Sequence, residues 1–413
     1  MPGRRILWVT EEPPDRGLGG GSIRQAHLFE ALAGAFDTDL LLAGPLADER
    51  VRAAAGTVTV VPKRPARWTE HPLGRRALEL GITAFSPHPS AAYPAGPSRR
   101  ALARALAPRA SAYDLVCVEH AALAPLVQAC GARAATLTLH HLISEMTRQQ
   151  LVHTAGARQR WFRRRDLDKA VALERRALKD YARVFTCSPE DHAALARLAP
   201  HAAGHVGVIP NGVDLGAFPD TPLPQRPHVL FPGSLAYGPN VDGALWFCAE
   251  VWPLVREQAP QATLLLAGRE PTAGIRALAD LPGVEVRANV PSMVDCFMAA
   301  RAVVVPLRVG TGTRLKALEA MAARRPLVGS TVGLEGIGAV DGVHALIRDD
   351  ARSMADALAT ALSDDELAAR LSAAGRAHVE AGFGWDRIGA RYVEEIAELL
   401  QARPAPALSK AAR

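Results

Sequence analysis

The chain of 413 residues contains little cysteine, few aromatic residues and no long apolar run. Its cysteines lie far apart in apolar surroundings and form no CxxC pair. This argues against a zinc site or a disulfide framework and predicts buried thiols in a reducing compartment. No stretch approaches the roughly 18 apolar residues that suggest a membrane span. The five cysteines are Cys117, Cys130, Cys187, Cys248 and Cys296.

Lysine is scarce as well, because only five of the 48 cationic residues are lysines. The formal net charge of +6 is compatible with a nucleotide, a nucleic acid or an anionic membrane as partner and does not choose among them. The opening segment Arg4–Thr10 is too short for a signal peptide and runs into two glutamates. We therefore expect a cytoplasmic protein, and association with the inner face of the membrane stays open.

Apolar runs of strand length alternate along the chain with longer helical stretches rich in alanine and leucine. Continuous apolar strands separated by helices indicate parallel sheets covered on both faces, so the predicted fold class is α/β. The predicted strands are Ile6–Val9, Asp39–Leu42, Thr57–Val61, Leu115–Val118, Ala134–Leu139, Val184–Cys187, Val206–Ile209, His228–Phe231, Thr263–Ala267, Val284–Arg287, Ala302–Pro306 and Pro326–Gly329.

The alternation pauses at Pro210–Asp214, and four prolines follow before it resumes. This pause predicts a boundary between two Rossmann-like, doubly wound domains, residues 1–210 and 211–385. If the domains face each other, the carboxyl ends of both sheets meet at a central cleft, where ligands of such folds bind. A last amphipathic helix is expected over residues 386–402, and the tail 403–413 has the composition of a disordered segment.

The most informative segment is a strand, a Gly/Thr loop and a helix over residues 302–323. The free N–H groups at the start of such a helix attract anions, and Arg314 and Lys316 add full charges. Glu319 follows one turn later and can accept hydrogen bonds from ribose hydroxyls. Helical spacing puts Leu318 on the core face and leaves Lys316 and Glu319 for a ligand. The segment favours a nucleotide-diphosphate site, and a solvated helix face is the alternative.

The first domain has a glycine loop of its own, Gly17–Ser22, before a helix predicted over Ile23–Ala33. Ser22 is placed to cap that helix, while Gly20 and Gly21 let a diphosphate or an acceptor approach the backbone. The spacing differs from GxGxxG, and no acidic residue stands about twenty positions on to hold an NAD ribose. A hinge or an ordinary turn is the alternative.

Two histidines, His140 and His141, follow directly on a predicted strand, at the carboxyl end where catalytic groups cluster. With Ser144 and Glu145 one turn later, they are candidates for contact with a polar substrate. A structural role is the alternative. Metal binding is weakly supported, because neighbours at a strand end seldom point the same way.

A strongly basic stretch, Arg158–Arg183, includes Trp161 and Phe162 beside three arginines. The simpler interpretation is a solvated helix with Glu174 and Asp180 as internal partners. The alternatives are binding to a membrane surface or to nucleic acid. The few interleaved aromatic residues speak against nucleic acid.

Several ordered motifs together resemble family 4 glycosyltransferases of the GT-B fold, and most of all the bacterial exopolysaccharide-type sugar transferases. The resemblance covers nearly the whole length, and its most specific part is Pro306–Ala322 followed by Gly333–Gly336. The other motifs are Gly20–Arg24, His140-His141 with Glu145, Glu174-Arg175, Cys187–Asp191, Pro210–Asp214 and Gly233–Asp242.

The resemblance implies transfer of a sugar from a nucleotide-diphosphate donor to an acceptor hydroxyl with retention at the anomeric carbon, without a metal or a cofactor. It implies a C-terminal helix that crosses back to the first domain. It assigns His140, Lys316 and Arg314 to catalysis and leaves His141 and Glu145 as acceptor or sugar contacts. The residues implied in donor binding are Gly20, Gly21, Ser234, Asn289, Val290, Gly310, Thr311, Gly312, Thr313 and Glu319. The acceptor is left open among a glycan, a lipid-linked saccharide and a small molecule.

This chain departs from the family pattern at two places. Thr311 stands where the family has the first of two glutamates eight positions apart, a residue that usually contacts the donor sugar. The family also has a basic pair after the first C-terminal strand, whereas Ser234–Asn240 contains no arginine or lysine. Two other functions therefore stay open, a GT-B nucleotide-sugar epimerase and a homologue that binds a nucleotide sugar without catalysis.

Overall fold

The computed structural model describes residues 3–63, 86, 88–92, 96–152 and 154–402. The chain divides into two compact units, and the division falls between Pro210 and Asn211. Unit 1 comprises Met1–Pro210 with Ile388–Arg413, and unit 2 comprises Asn211–Arg387. The tail 403–413, expected to be disordered, lies outside the described residues.

Unit 1 is built on a seven-stranded parallel sheet in the order β3-β2-β1-β4-β5-β6-β7. The chain order reverses between β1 and β4, which makes their carboxyl ends the topological switch point where such folds bind ligands. The strands are β1 (Arg5–Thr10), β2 (Asp37–Ala43), β3 (Val58–Val61), β4 (Leu115–Glu119), β5 (Ala135–Leu139), β6 (Arg183–Thr186) and β7 (Val206–Val208).

Helices cover both faces of this sheet, as an apolar parallel sheet requires. Those described in the first part of the chain are α1 (Gly20–Ala35), α2 (Glu49–Ala54), α3 (Gly96–Leu106), α4 (Val127–Cys130), α5 (Ile143–Val152), α6 (Ala157–Asp180) and α7 (Pro189–Leu198).

Unit 2 repeats the architecture with a six-stranded parallel sheet in the order β10-β9-β8-β11-β12-β13, so its switch point lies between β8 and β11. Its strands are β8 (His228–Pro232), β9 (Thr263–Gly268), β10 (Val284–Ala288), β11 (Ala302–Val305), β12 (Leu327–Gly329) and β13 (Leu346–Ile347). Its helices are α8 (Gly238–Trp246), α9 (Trp252–Gln258), α10 (Ala273–Arg276), α11 (Met293–Ala299), α12 (Leu315–Ala322), α13 (Ala351–Ser363) and α14 (Asp365–Gly382).

The last helix, α15 (Trp385–Gln401), begins in unit 2 and belongs to unit 1 from Ile388 onward. Its Tyr392 is fully buried in unit 1, with its ring 6.1 Å from Trp8 on β1 and 5.4 Å from Phe185 on β6. Edge-to-face aromatic contacts of this kind add to the burial of the rings. The helix is therefore an integral part of the unit 1 core.

The predicted α/β class with parallel sheets is confirmed, and each of the twelve predicted strands is present to within about two residues at its ends. One strand was missed, because β13 is only two residues long and its apolar run is too short to indicate a strand. The start of α1 was predicted wrongly. The helix begins at Gly20, with Gly19 as its N-cap and no side-chain cap, so Ser22 lies inside the helix.

All five cysteines are buried free thiols, as predicted. Burial raises the pKa of the Cys117 thiol on β4 to about 12, which leaves it protonated and unreactive at neutral pH. Within the described ranges, no helix is both long and apolar enough to cross a membrane.

Gly268 at the end of β9 offers a test of this fold. A Cβ at this position would lie 1.7 Å from the Gly233 carbonyl oxygen of the neighbouring β8 loop. Because two backbones cannot separate without disturbing the sheet, we expect Gly268→Ala to lower the free energy of unfolding of unit 2 by about 1–3 kcal/mol. Chemical denaturation monitored by circular dichroism measures the change.

Gly382→Ala in the same unit is the matched control, since nothing lies within 4 Å of a Cβ there. Its effect should stay within about 0.5 kcal/mol. Equal stability of the two variants would contradict the close approach of the β8 loop to β9.

Candidate active site

The switch point of unit 2 is shaped by Gly233, which follows β8. Its φ of +139° is a conformation that residues with a Cβ avoid. A Cβ here would lie 2.7 Å from the Lys316 Nζ atom and 2.9 Å from the Asn240 Nδ2 atom. Glycine is therefore required for the loop to pass this close to the two polar side chains.

Lys316, in the first turn of α12, points its amino group at this loop. Its Nζ donates to the Asn240 Oδ1 at 2.7 Å and lies 5.4 Å from the centre of the Phe231 ring. The Asn240 Nδ2 in turn donates to the Ser234 carbonyl at 2.8 Å. The amino group thus occupies the loop region where the sequence carries no cation of its own. Asn240 was quoted only as part of a motif and not predicted as a site residue.

The pKa values of Lys316 and Glu319 are both shifted by desolvation. Burial lowers the pKa of Lys316 to about 7, assisted by the positive charge of Arg314 and opposed by Glu319. Burial also raises the pKa of Glu319 to about 7, opposed by Lys316. A bound diphosphate would favour the ammonium form of Lys316, because an adjacent anion stabilises a cation.

Arg314 organises the loop between β11 and α12. Its guanidinium donates to the carbonyls of Thr311, of Gly312 at 3.1 Å and of Val332 at 3.1 Å. It also meets the Glu335 carboxylate at 3.4 Å. The side chain is buried, and these contacts hold the loop backbone in place. Direct binding of a diphosphate by Arg314 stays a prediction.

The other loop residues are held just as firmly. Gly310 has φ +152°, and a Cβ there would lie 2.8 Å from the Arg314 Nη2. Thr313 accepts two bonds from Asn211, from the backbone N–H to its hydroxyl at 3.2 Å and from the side-chain amide to its carbonyl at 2.9 Å. Thr311 is buried. The backbone of the Gly310–Thr313 loop is therefore held in place by hydrogen bonds from Arg314 and Asn211.

Asn289 and Val290, which the family resemblance implies in donor binding, lie just beyond β10. Asn289 adopts a left-handed conformation with φ +54°, and its N–H donates to the Gly268 carbonyl at 2.7 Å. Glu270, beyond β9, is also left-handed at φ +51°, and its N–H meets the Asn289 Oδ1 at 3.4 Å. Two adjacent strand ends thus carry strained residues, which is common at ligand sites.

In unit 1, the carboxyl ends of β4 and β5 bring a carboxyl group and two histidines together. Glu119, the last residue of β4, is fully buried, and its Oε1 accepts from the Thr138 hydroxyl at 2.8 Å. Its Oε2 lies 2.7 Å from the His140 Nε2. The His120 ring is stacked on the His140 ring, with the ring centres 4.0 Å apart.

Burial makes the neutral forms of Glu119 and His140 the favoured ones. It raises the pKa of Glu119 to about 8, although Arg24 and Thr138 oppose the change. It lowers the pKa of His140 well below its usual range, and the charge of Arg24 acts in the same direction. We therefore expect the neutral carboxyl to donate from Oε2 to Nε2, since Oε1 already accepts from Thr138. In that arrangement the neutral imidazole carries its proton on Nδ1.

The space in front of this Nδ1 is lined by α1 and by the loop after β1. A Cβ at Gly21 would touch the His140 Nδ1 at 3.6 Å and the Glu12 Oε2 at 3.5 Å. The Gln25 amide nitrogen lies 3.0 Å from the His120 Nε2. Gly21 therefore leaves room for a small polar group beside the Nδ1–H of His140. Gly20 lies in the same first turn of α1.

The residues after His140 only partly follow the prediction. Ser144, which lies near the predicted substrate contacts, is buried, and its N–H and hydroxyl both donate to the buried Glu174. Glu174 was expected to pair with the basic helix and instead caps α5. Glu145 forms an ion pair with Arg148 on the same helix. The predicted substrate contacts of His141 and Glu145 stay predictions.

Glu119, His120 and Gln25 were not predicted as site residues. Glu119 ends an apolar strand, and a glutamate at the carboxyl end of a buried strand could have been recognised from the sequence as a candidate site residue. Gln25 sits on a helix whose buried face cannot be recognised by polarity. In the described part of the chain, no three or more His, Cys, Asp or Glu side chains are grouped to hold a metal ion.

The proton position on His140 is directly testable. In wild type we expect an Nδ1–H tautomer, because the neutral Glu119 carboxyl donates to Nε2. Glu119→Gln should keep this tautomer, since an amide N–H can replace the donor, whereas Glu119→Leu should lose it. Long-range 15N–1H correlation spectra of histidine-labelled protein report the tautomer, and His140→Asn assigns the signal. An Nε2–H form in wild type would show instead that Glu119 acts as an ionised acceptor.

Comparison with known proteins identifies glycosyltransferase models that match this chain. Residues 45–217 match the family model described as Glycosyltransferase Family 4, and residues 226–364 match the model described as Glycosyl transferases group 1. A D-inositol 3-phosphate glycosyltransferase of Xylanimonas cellulosilytica is 32% identical over 244 residues, which is 52% of this chain and 57% of that protein. One of Frankia alni is 30% identical over 238 residues, 51% of this chain and 58% of that protein. The matches thus span little more than half the length of these curated relatives.

Solved structures share the fold at low sequence identity. Sucrose-phosphate synthase from Thermosynechococcus elongatus has a TM-score of 0.70 at 20% identity, covering 97% of this chain and 100% of that one. HepE of Anabaena in complex with UDP-glucose has a TM-score of 0.65 at 15% identity, covering 95% and 99%. The N-terminal part of the chain thus matches a family 4 glycosyltransferase model, the C-terminal part matches a group 1 model, and the chain shares the GT-B fold of these solved structures.

Proposed function

We propose that this protein transfers a sugar from a nucleotide-diphosphate donor to an acceptor hydroxyl and retains the anomeric configuration. The observation that carries the proposal is the polar group at the unit 2 switch point. There Lys316, Asn240 and the Gly233 loop meet, with Glu319 one turn further along α12. A half-buried amine beside a glycine loop suits a diphosphate, and a half-buried carboxyl one turn away suits the two hydroxyls of a ribose.

The chemistry proposed for unit 2 is electrostatic. As the sugar–phosphate bond breaks, negative charge grows on the leaving diphosphate, and the Lys316 ammonium and the Gly310–Thr313 amides would stabilise it. Arg314 supports this role by holding the loop in place. The departing phosphate oxygen takes the proton of the acceptor hydroxyl, so the step needs no protein base. We propose no metal and no cofactor for this reaction.

For unit 1 we propose contact with the donor sugar and with the acceptor. The Nδ1–H of His140 would donate to a sugar hydroxyl, and the absence of side chains at Gly20 and Gly21 would let the phosphates approach the backbone. His141 and Glu145 are proposed as acceptor contacts. The burial of Glu119 behind His140 supports a fixed ring orientation, which positions a donor group without loss of rotational freedom on binding.

A UDP-sugar is the proposed donor, because the related HepE structures contain UDP and UDP-glucose. The names of the curated relatives suggest a polyol phosphate as one acceptor class. The motif resemblance suggests a growing exopolysaccharide or a lipid-linked saccharide as the other. We favour assignment to the exopolysaccharide-type sugar transferases, and we propose a cytoplasmic location for the protein.

The decisive experiment is calorimetric titration of the full chain with UDP-, GDP-, dTDP- and ADP-sugars, followed by turnover assays with and without acceptors. Donor consumption that depends on an acceptor supports the transferase. Conversion of the sugar nucleotide without an acceptor would indicate an epimerase. Tight binding without turnover under all conditions would indicate a non-catalytic homologue, which is relevant because Thr311 replaces a glutamate of the family pattern.

Lys316→Ala should reduce turnover by about one to three orders of magnitude, or about 1.4 kcal/mol per tenfold, because charge on the leaving diphosphate loses its partner. Steady-state kinetics with the best donor measure the effect. Lys179→Ala removes an exposed lysine and should leave turnover unchanged. Unchanged turnover in Lys316→Ala would refute the phosphate role.

Glu319→Ala should weaken nucleotide binding by about ten- to a hundredfold, as expected for the loss of hydrogen bonds to a charged group. The dissociation constant of the free nucleoside diphosphate, measured by calorimetry, isolates this contact from the sugar. Glu366→Ala, which changes an exposed glutamate in the same unit, is the control. The same dissociation constant in wild type and Glu319→Ala would rule out the ribose contact.

A further inference from the structure

The first nine residues of α6, Ala157–Arg165, form a segment of helix that buries no side chain. Eight of them are exposed, and only Phe162 is half-buried. Burial begins at Asp166 and recurs at Ala170 and Glu174, where α6 packs into unit 1. We call residues 157–165 the arginine segment. A helical segment without a buried face obtains little stability from its own domain, which suggests that its exposed side chains serve another surface.

The arginine segment combines five cations with an exposed aromatic ring. Trp161 is 50% exposed, and its ring meets that of Phe162 edge to face at 4.9 Å. Arg165 lies over the Trp161 ring at 5.0 Å, and Arg158 lies over the Phe162 ring at 6.0 Å. The five arginines are Arg158, Arg160, Arg163, Arg164 and Arg165, and among the described residues none of them forms an ion pair with a carboxylate.

Apolar exposure continues just before the segment. Val152 ends α5 with 74% of its surface exposed, and α5 packs along α6. An exposed valine and an exposed tryptophan are unfavourable in water, and like charges three and four residues apart repel each other on a helix. A surface that is anionic outside and apolar beneath relieves both costs.

We propose that the arginine segment docks unit 1 onto an anionic membrane surface. The guanidinium groups bind lipid phosphates, Trp161 lies at the level of the headgroups, and Val152 adds exposed apolar surface at the end of α5. Arginine matches phosphate geometry with paired N–H donors, and tryptophan favours the interface because its ring is apolar and its N–H is polar. Docking through this surface does not require the proposed transfer reaction.

A membrane fits this segment better than a nucleic acid does. Single strands are bound on several aromatic platforms that alternate with cations, whereas one exposed tryptophan and an aliphatic valine offer no series of stacking sites. The buried surface of α6 starts only at Asp166, so the segment lies at the edge of unit 1. Such an edge suits a flat partner that lies parallel to a short helix.

The test is co-sedimentation of the full chain with vesicles of phosphatidylglycerol and phosphatidylcholine, against vesicles of phosphatidylcholine alone. We expect binding to the anionic vesicles only, and a weakening of about tenfold or more in R163E/R164E, since each cation near the surface contributes independently. Trp161→Ala should weaken binding as well. In wild type, contact with lipid should shift tryptophan fluorescence to the blue, and Trp161→Phe should remove that component.

The matched control is R370E/R391E, which makes the same change in net charge at two other exposed arginines. It should bind anionic vesicles as wild type does, and circular dichroism checks that all variants are folded. No binding of wild type to anionic vesicles overturns the proposal, and so does an equal loss in R370E/R391E. Binding of a labelled RNA oligonucleotide without binding of vesicles overturns it in favour of nucleic acid.

Discussion

The hydrogen bond between the Lys316 amino group and the Asn240 amide joins the two helices that begin at the candidate donor site. It connects the helix after β11 to the helix after β8, the two strands at which the unit 2 sheet reverses its order. The contact is available only because Gly233 lacks a side chain. Burial of the amine then lowers its pKa to about 7, so a bound anion can restore a full charge at the site.

In unit 1, burial likewise shifts the pKa values of ionisable side chains at the ends of sheet strands, here a glutamate and a histidine. Glu119 and His140 are buried at the ends of adjacent strands, and the low polarity around them favours a neutral carboxyl and a neutral imidazole. Such a pair fixes the orientation of a ring without placing a net charge in the core. In both units, ionisable side chains with shifted pKa values lie at the carboxyl ends of a parallel sheet, as is common at functional sites.

The twelve strands could be predicted because a strand buried on both faces requires a continuous apolar run, which is a local property of the chain. Lys316 and Glu319 could be recognised because they follow a glycine loop on the polar face of a short helix. The structural role of Ser144 could not be predicted, because it depends on a residue that is distant in the chain. A serine near a strand end is ambiguous until its neighbour is known, and that neighbour, Glu174, lies 30 residues further along the chain.

The sequence by itself determined the class of fold, the number of units, nearly all strands and the main residues of the proposed donor site. These features depend on periodicity and on short motifs, which act over a few residues. Only the tertiary structure decided that Glu119 orients His140, that Asn240 binds Lys316, and that Arg314 holds its own loop. The strand order brings these partners together, and strand order is set by packing between segments far apart in the chain.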